Sequence, residues 1–192
     1  MHDQTLAAKT QELLKLSGIN PPQLDAVAVS IGPGSYTGLR IGLAFAKGLC
    51  FALNKPLIAI NTLQILAASA QMKHENAILI PMIDARRMEV YTAAFDQQLK
   101  PITENKPLIV QADSFERFAK NQVYFIGQGA EKTKSILSAF EDHQFLTDVM
   151  PDAQYMLPLA EQMFENEQFA DLNLSEPDYL KEFQQNNAVF AL

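Results

Sequence analysis

The stretch best suited to chemistry is Gly32-Pro33-Gly34-Ser35-Tyr36-Thr37-Gly38. A loop of small residues leading into a helix exposes backbone N–H groups and the positive end of the helix dipole, which together make an anion site. Gly32, Gly34, Ser35 and Thr37 are the residues such a site would use. Two phosphate-binding patterns fail here. The dinucleotide pattern wants a third glycine one residue before Gly38 and an acid at the end of the next strand, where Asn61 stands. The P-loop wants Gly-Lys-Ser/Thr, and Gly38 is followed by Leu39-Arg40. A tight turn capped by Ser35 or Thr37 accounts for the same residues, so both readings stand and no cofactor is expected.

Other nucleophile and metal patterns are missing. Ser35 lies in Pro-Gly-Ser-Tyr-Thr rather than Gly-x-Ser-x-Gly, and Cys50 lies in an apolar helical stretch, so a buried structural thiol is expected. His2, His74 and His143 are isolated, with no His-x-x-x-His to place two imidazoles on one helical face, so no metal site is expected. Asp84 and Glu89 flank Arg86 and Arg87, which reads as local ion pairing in a turn. No catalytic residue is assigned.

The elements that must position these residues follow from periodicity and turn signals. A helix is expected over 3–17, with Asp3 as N-cap and Gly18 as stop. Ala26–Ile31 and Leu57–Ile60 are short apolar runs, as in strands buried on both faces, and a helix from about 37 to 53 joins them as a parallel βαβ unit. A helix near 62–72 follows, then a hairpin of Ala77–Asp84 and Met88–Phe95, a third strand at Leu108–Val110, helix 113–120, strand 123–126, and helices 131–141 and 153–165. Ile31-Gly32-Pro33-Gly34-Ser35 reappears 95 residues later as Ile126-Gly127-Gln128-Gly129-Ala130, again between a strand and a helix. The order of elements around both copies favours a duplication into two α/β lobes, 1–73 and 74–192. The first lacks a counterpart of the second's opening hairpin.

The helix at 37–53 points to a partner. Arg40, Lys47 and Asn54 recur every seven residues and form one polar line, while everything else is apolar or small. Such a helix is covered on a second side as well as by a sheet. Gly38, Gly42 and Ala46, four apart, form a groove that lets another backbone approach. The cover is either the chain's own first helix, or a partner meeting both helices through Leu6, Leu13, Gly38, Gly42, Leu43 and Ala46.

Composition bounds the rest. The 192 residues are 48% hydrophobic and 19% charged, the balance of a globular protein, and a single cysteine fits a reducing cytoplasm. The apolar stretches are interrupted by Arg40, Lys47 and Asn54, so no membrane span is expected. The net charge of −7 is uneven: residues 1–134 carry 14 basic against 11 acidic groups, and residues 135–192 carry 1 against 11. An acidic C-terminal third is a poor surface for phosphate backbones, so contact with nucleic acid would pass through a partner.

The run from Ala26 through Gly42, with Lys47-Gly48-Leu49, Asn61-Thr62-Leu63, Ile83-Asp84-Ala85-Arg86-Arg87-Met88-Glu89-Val90-Tyr91 and Glu176-Pro177-Asp178-Tyr179-Leu180-Lys181, resembles the signature of the TsaB (YeaZ) family over nearly the whole chain. The resemblance implies an α/β, duplicated two-lobe, actin-like or ribonuclease H-like (ASKHA) fold. It also implies a non-catalytic dimerisation subunit of the complex that makes threonylcarbamoyladenosine at position 37 of tRNA. The implied partners are a TsaD-type catalytic subunit and a TsaE-type ATPase, with a homodimer when alone and tRNA reached only through the complex. The helices at 3–17 and 37–53 are the implied dimer surface. The family's opening strands of the type Ile-Leu-x-Ile-Asp-Thr-Ser have no match here, which leads to the expectation of a shortened chain or a misassigned start codon. Two other activities are weighed beside this one. The fold alone would also allow a nucleotide-dependent ATPase or kinase, and the older glycoprotease label suggests a metallopeptidase.

Overall fold

The computed structural model describes residues 2–70, 77–137 and 143–181. Helix α1 (His2–Ser17) stops at Gly18, which takes φ +66. Because the helix already runs from His2, Asp3 is not its N-cap. After a 3-10 turn at Pro21–Gln23 come β1 (Val27–Gly32), α2 (Tyr36–Leu53) and β2 (Leu57–Asn61), the βαβ unit read from the sequence, with β1 and β2 parallel from Val27↔Leu57 to Gly32↔Asn61. Ser35 caps α2 by accepting from the Gly38 N–H at 3.3 Å, and Asn54 ends it in the left-handed region at φ 52. Asn61 then caps α3 (Thr62–Ala68), its side chain accepting from the Leu63 and Gln64 N–H groups.

The second sheet is built from β3 (Ile78–Asp84), β4 (Glu89–Thr92), β5 (Lys106–Ile109), β6 (Val123–Ile126) and β7 (His143–Leu146). Their order is β5-β4-β3-β6-β7; β3 and β5 run antiparallel to β4, and β6 lies parallel to both β3 and β7. Strand β7 was not expected, because His143-Gln144-Phe145-Leu146 is too short to show an alternation. Helix α4 spans Gln128–Leu137, and α5 (Leu157–Glu165) is set off from a 3-10 turn at Ala153–Met156, so the expected helix over 153–165 is broken where Pro158 removes an N–H. The expected helix at 113–120 is a single 3-10 turn, Glu116–Phe118, among bends that tuck Phe115 and Phe118 inward. The proposed lobe boundary at 73 lies outside the described residues, as do His74 and the end of the helix expected over 131–141.

The duplication is visible in the backbone. β1 and β2 correspond to β6 and β7, and α2 to α4, and both leading glycines sit at positive φ: Gly32 at +123 and Gly127 at +100. The second glycines differ in what surrounds them. A Cβ on Gly129 would meet the Met82 backbone of β3 at 2.8 Å, whereas one on Gly34 would meet only Leu39 at 3.9 Å. Among the described residues the first sheet has no strand in the position that β3 holds in the second.

The largest core is shared by both sheets. It combines Ile58 and Ile60 of β2, Leu63, Ile65 and Leu66 of α3, Leu79 of β3, Tyr124 and Ile126 of β6 and Leu159 of α5. A second core fills the other face of the five-stranded sheet around Ile80, Met82, Phe118 and Phe125. Under α2, Leu43, Ala46 and Cys50 pack with Leu57 and with Val27, Val29 and Ile31.

Candidate functional site

The glycine loop is occupied by the chain itself. Residues 170–181 run as a strap from β2 to the β3–β4 turn. Ala170 donates its N–H to the Leu57 carbonyl at 2.8 Å, and Leu172 packs into the core beneath α2. Lys47 Nζ donates to the Ser175 carbonyl at 3.0 Å. The Asp178 N–H donates to the Ile31 carbonyl at 2.7 Å, directly over Gly32, where a Cβ would lie 2.7 Å from the Asp178 carbonyl oxygen. Tyr179 stacks on Tyr36 with ring centroids 4.5 Å apart and accepts a hydrogen bond from Arg40 Nε at 3.0 Å. The Arg40 guanidinium also lies 4.4 Å from the centre of the Tyr36 ring. Lys181 pairs with Glu89 and lies 5.8 Å from the centre of the Tyr91 ring.

This arrangement corrects the reading of the polar line on α2. Arg40 and Lys47 are held by the strap, and Asn54 serves as the left-handed cap, so the chain's own segment 175–179 lies along this line. Four of the residues expected to meet a partner turn toward the chain's own fold. Leu43 and Ala46 are buried against β1 and β2, and a Cβ on Gly42 would face Val29 of β1 at 4.0 Å. Gly38 lines a cavity of about 400 Å³ between the glycine loop and the second sheet, with Leu39, Leu66, Met82 and Val149 around it. The inward stripe is Leu39, Leu43, Ala46 and Cys50, and a helix apolar on two sides does not reveal from its periodicity which side meets the sheet. Leu6 is half-buried and Leu13 is 63% exposed, so α1 keeps part of the expected face. Leu16 and Phe51, not singled out from the sequence, are 79% and 84% exposed.

Of the anion-site candidates, Ser35 is the cap of α2, Gly32 receives the strap, and Gly34, Ser35 and Thr37 line a polar cleft of about 590 Å³. Asp84, Arg86, Tyr91, Asp178 and Lys181 form its other walls. Burial pushes the Asp178 carboxyl above the usual carboxylate range, and Asn61 Nδ2 reaches it at 3.4 Å.

The expected pairing of Asp84 and Glu89 with Arg86 and Arg87 is also corrected. Asp84 accepts from Lys132 of α4, and Glu89 from Lys181 of the strap. Lys132 further donates to the carbonyls of Arg87 at 2.7 Å and Glu89 at 2.6 Å, holding a turn in which Arg86 and Arg87 have φ +71 and +51. Arg86 and Arg87 are both exposed. Burial raises the Asp84 carboxyl pKa, but the hydrogen bonds from Lys132 and the Arg86 N–H outweigh it and leave it below the usual range.

Cys50 is fully buried and donates to the Pro56 carbonyl at 3.4 Å, and burial pushes its thiol pKa up, as expected of a structural thiol. Helix α2 is long and apolar enough to cross a membrane by length and composition, but it is packed on β1 and β2 as one layer of the fold.

These features define a duplicated α/β protein of the actin-like class in which a C-terminal strap closes the first glycine loop. Over residues 1–188 the chain matches the family described as "TsaD: tRNA N6-adenosine threonylcarbamoyltransferase". It is 31% identical over 190 residues to the Escherichia coli (strain K12) "tRNA threonylcarbamoyladenosine biosynthesis protein TsaB", covering 94% of this chain and 80% of that protein. To the protein of the same name in Bacillus subtilis (strain 168) it is 30% identical over 141 residues, 71% of this chain and 60% of the relative. The solved structure "YeaZ from Pseudomonas aeruginosa" matches with a TM-score of 0.83 at 26% identity, covering 94% of this chain and 84% of that one. The chain belongs to the TsaB (YeaZ) family.

Proposed function

We propose that this chain is the dimerisation subunit of a tRNA threonylcarbamoyladenosine-forming complex, and that it binds a TsaD-type transferase through the outer face of α1 and α2. In this reading it supports N6-threonylcarbamoylation of adenosine 37 without catalysing it, in the cytoplasm, alongside a TsaE-type ATPase and with tRNA reached through the complex. Alone, the same face would pair two copies. The observation that carries the proposal is the layer formed by α1 against α2, which leaves Leu13, Leu16 and Phe51 at 63%, 79% and 84% exposure. Large apolar side chains on adjoining helices, all exposed in the single chain, suit a helix-on-helix interface. Belonging to a family whose relatives are named for this modification supplies the reaction.

The test is co-purification with the TsaD-type subunit from the same cell, followed by a tRNA modification assay with and without this chain. Leu13→Asp combined with Phe51→Asp is expected to abolish the complex and the stimulation while leaving the circular dichroism of the chain unchanged. A complex of unchanged affinity would overturn the interface, and full modification without the chain would overturn the role.

A further inference from the structure

We infer that the groove between the glycine loop and the first two turns of α2 is a peptide-binding site, and that its occupant is the chain's own Pro177-Asp178-Tyr179-Leu180-Lys181. The bound segment positions α2 against the β3–β4 turn. Only that positioning clause rests on the interface reading above; the groove stands on its own geometry.

The groove recognises three features of an extended peptide. The first is main chain. The Ile31 carbonyl accepts the Asp178 N–H at 2.7 Å, and the missing side chain at Gly32 admits the Asp178 carbonyl to a point where a Cβ would sit 2.7 Å from it. The second is a phenol. Tyr36 offers a ring face at 4.5 Å and Arg40 a donor at 3.0 Å, so one side chain is fixed by stacking and by a hydrogen bond. The third is a cation two residues further on, which meets Glu89 beside the Tyr91 ring. Both charged side chains of α2, Arg40 and Lys47, are committed to the strap. The strap thus links α2 to the second sheet, and the glycine at position 32 is explained by the strap's carbonyl without an anion.

Amide hydrogen exchange on the full chain tests the groove. In the wild type, residues 175–181 are expected to be protected. Tyr179→Ala is expected to speed exchange at least tenfold both in the strap and in residues 36–40, and Lys181→Ala to do so at 84–91. Tyr179→Phe, which keeps the stack and loses the Arg40 bond, is expected to fall between wild type and Tyr179→Ala. Gly32→Ala is expected to release the strap with the strap's own sequence intact. Unprotected strap amides in the wild type would overturn the inference, as would a Tyr179→Ala variant whose residues 36–40 exchange at wild-type rates or a Lys181→Ala variant whose residues 84–91 do. Should Gly32→Ala fail to fold, the three strap variants still decide.

Affinity for the TsaD-type subunit tests the positioning clause. Tyr179→Ala is expected to weaken binding severalfold although the α1/α2 face is unaltered. Binding at wild-type strength would remove that clause and leave the groove. If wild-type chain and subunit do not bind at all, the interface reading fails, and the exchange data still judge the strap.

Discussion

Gly32 and Asp178 show how one backbone position can be fixed by a segment far away in sequence. At φ +123 the glycine occupies a region that side chains rarely enter, and the Asp178 carbonyl fills the space a Cβ would need. Gly32→Ala is therefore expected to cost about 1–3 kcal/mol, measured by denaturant unfolding. Gly48 is the counterexample, because it lies exposed within α2 with nothing within 4 Å of a Cβ. Gly48→Ala is expected to stabilise by about 0.5–1 kcal/mol in the same measurement. Asp178 also gives a pH signature. Burial holds its carboxyl above the ordinary value of 3.8, so the folded chain binds that proton more tightly than the unfolded chain. Its contribution to stability accordingly falls as pH rises from the ordinary value through the raised one. Asp178→Asn should raise the melting temperature at pH 7, and the gain should vanish toward pH 3.5. A gain that persists in acid would mean that burial of the charge is not its cause. Asp84 runs the other way, since its lowered value contributes stability that is lost as pH falls through it.

At the scale of elements, the βαβ unit and the parallel order of β1 and β2 were legible because apolar runs bounded by glycine and proline punctuate this part of the chain. The repeated Gly-x-Gly was legible as a duplication for the same reason. What the strap does was not. Asp171–Lys181 has neither period and few apolar side chains, and its role comes from contacts to residues more than a hundred positions away, such as Arg40 and Lys47. The direction of α2 was half legible: its two apolar faces predict two covers, but only tertiary packing shows that Leu43 and Ala46 face the sheet. Likewise the Asp84–Glu89 turn announced charges without their partners, because Lys132 and Lys181 come from elsewhere in the chain. Consecutive left-handed residues at a hairpin usually call for Asn-Gly, and here Arg86-Arg87 is held in that shape by the three bonds of Lys132. Lys132→Met is expected to cost about 1–2 kcal/mol, allowing for the partial exposure of the pair. The loss should be local, read as faster amide exchange at residues 85–89 and a rise of the Asp84 pKa by NMR titration. Unchanged exchange there would show that the turn holds itself.

At the scale of the molecule, the shared core decides how the two sheets behave together. Among the described residues the first sheet has two strands, and the buried side chains Ile58 and Ile60 on its α3 side share a core with Leu79, Tyr124 and Ile126 of the second sheet. Leu66 sits at the junction. It is 1% exposed, lines the cavity below the glycine loop, and a Cβ on Gly127 would come within 2.7 Å of its Cδ2. A single buried cluster of this kind couples the units on either side, because opening one exposes the apolar surface of the other. Leu66→Ala removes the side chain that touches both glycine loops' surroundings, and is expected to cost about 2–5 kcal/mol. If the sheets form one cooperative unit, exchange protection in β2 and in β6 should fall by the same factor, and thermal unfolding should remain a single transition. Loss of protection in β2 alone, with β6 unchanged, would show instead that the five-stranded sheet folds independently and that the first unit rests on it as a dependent layer.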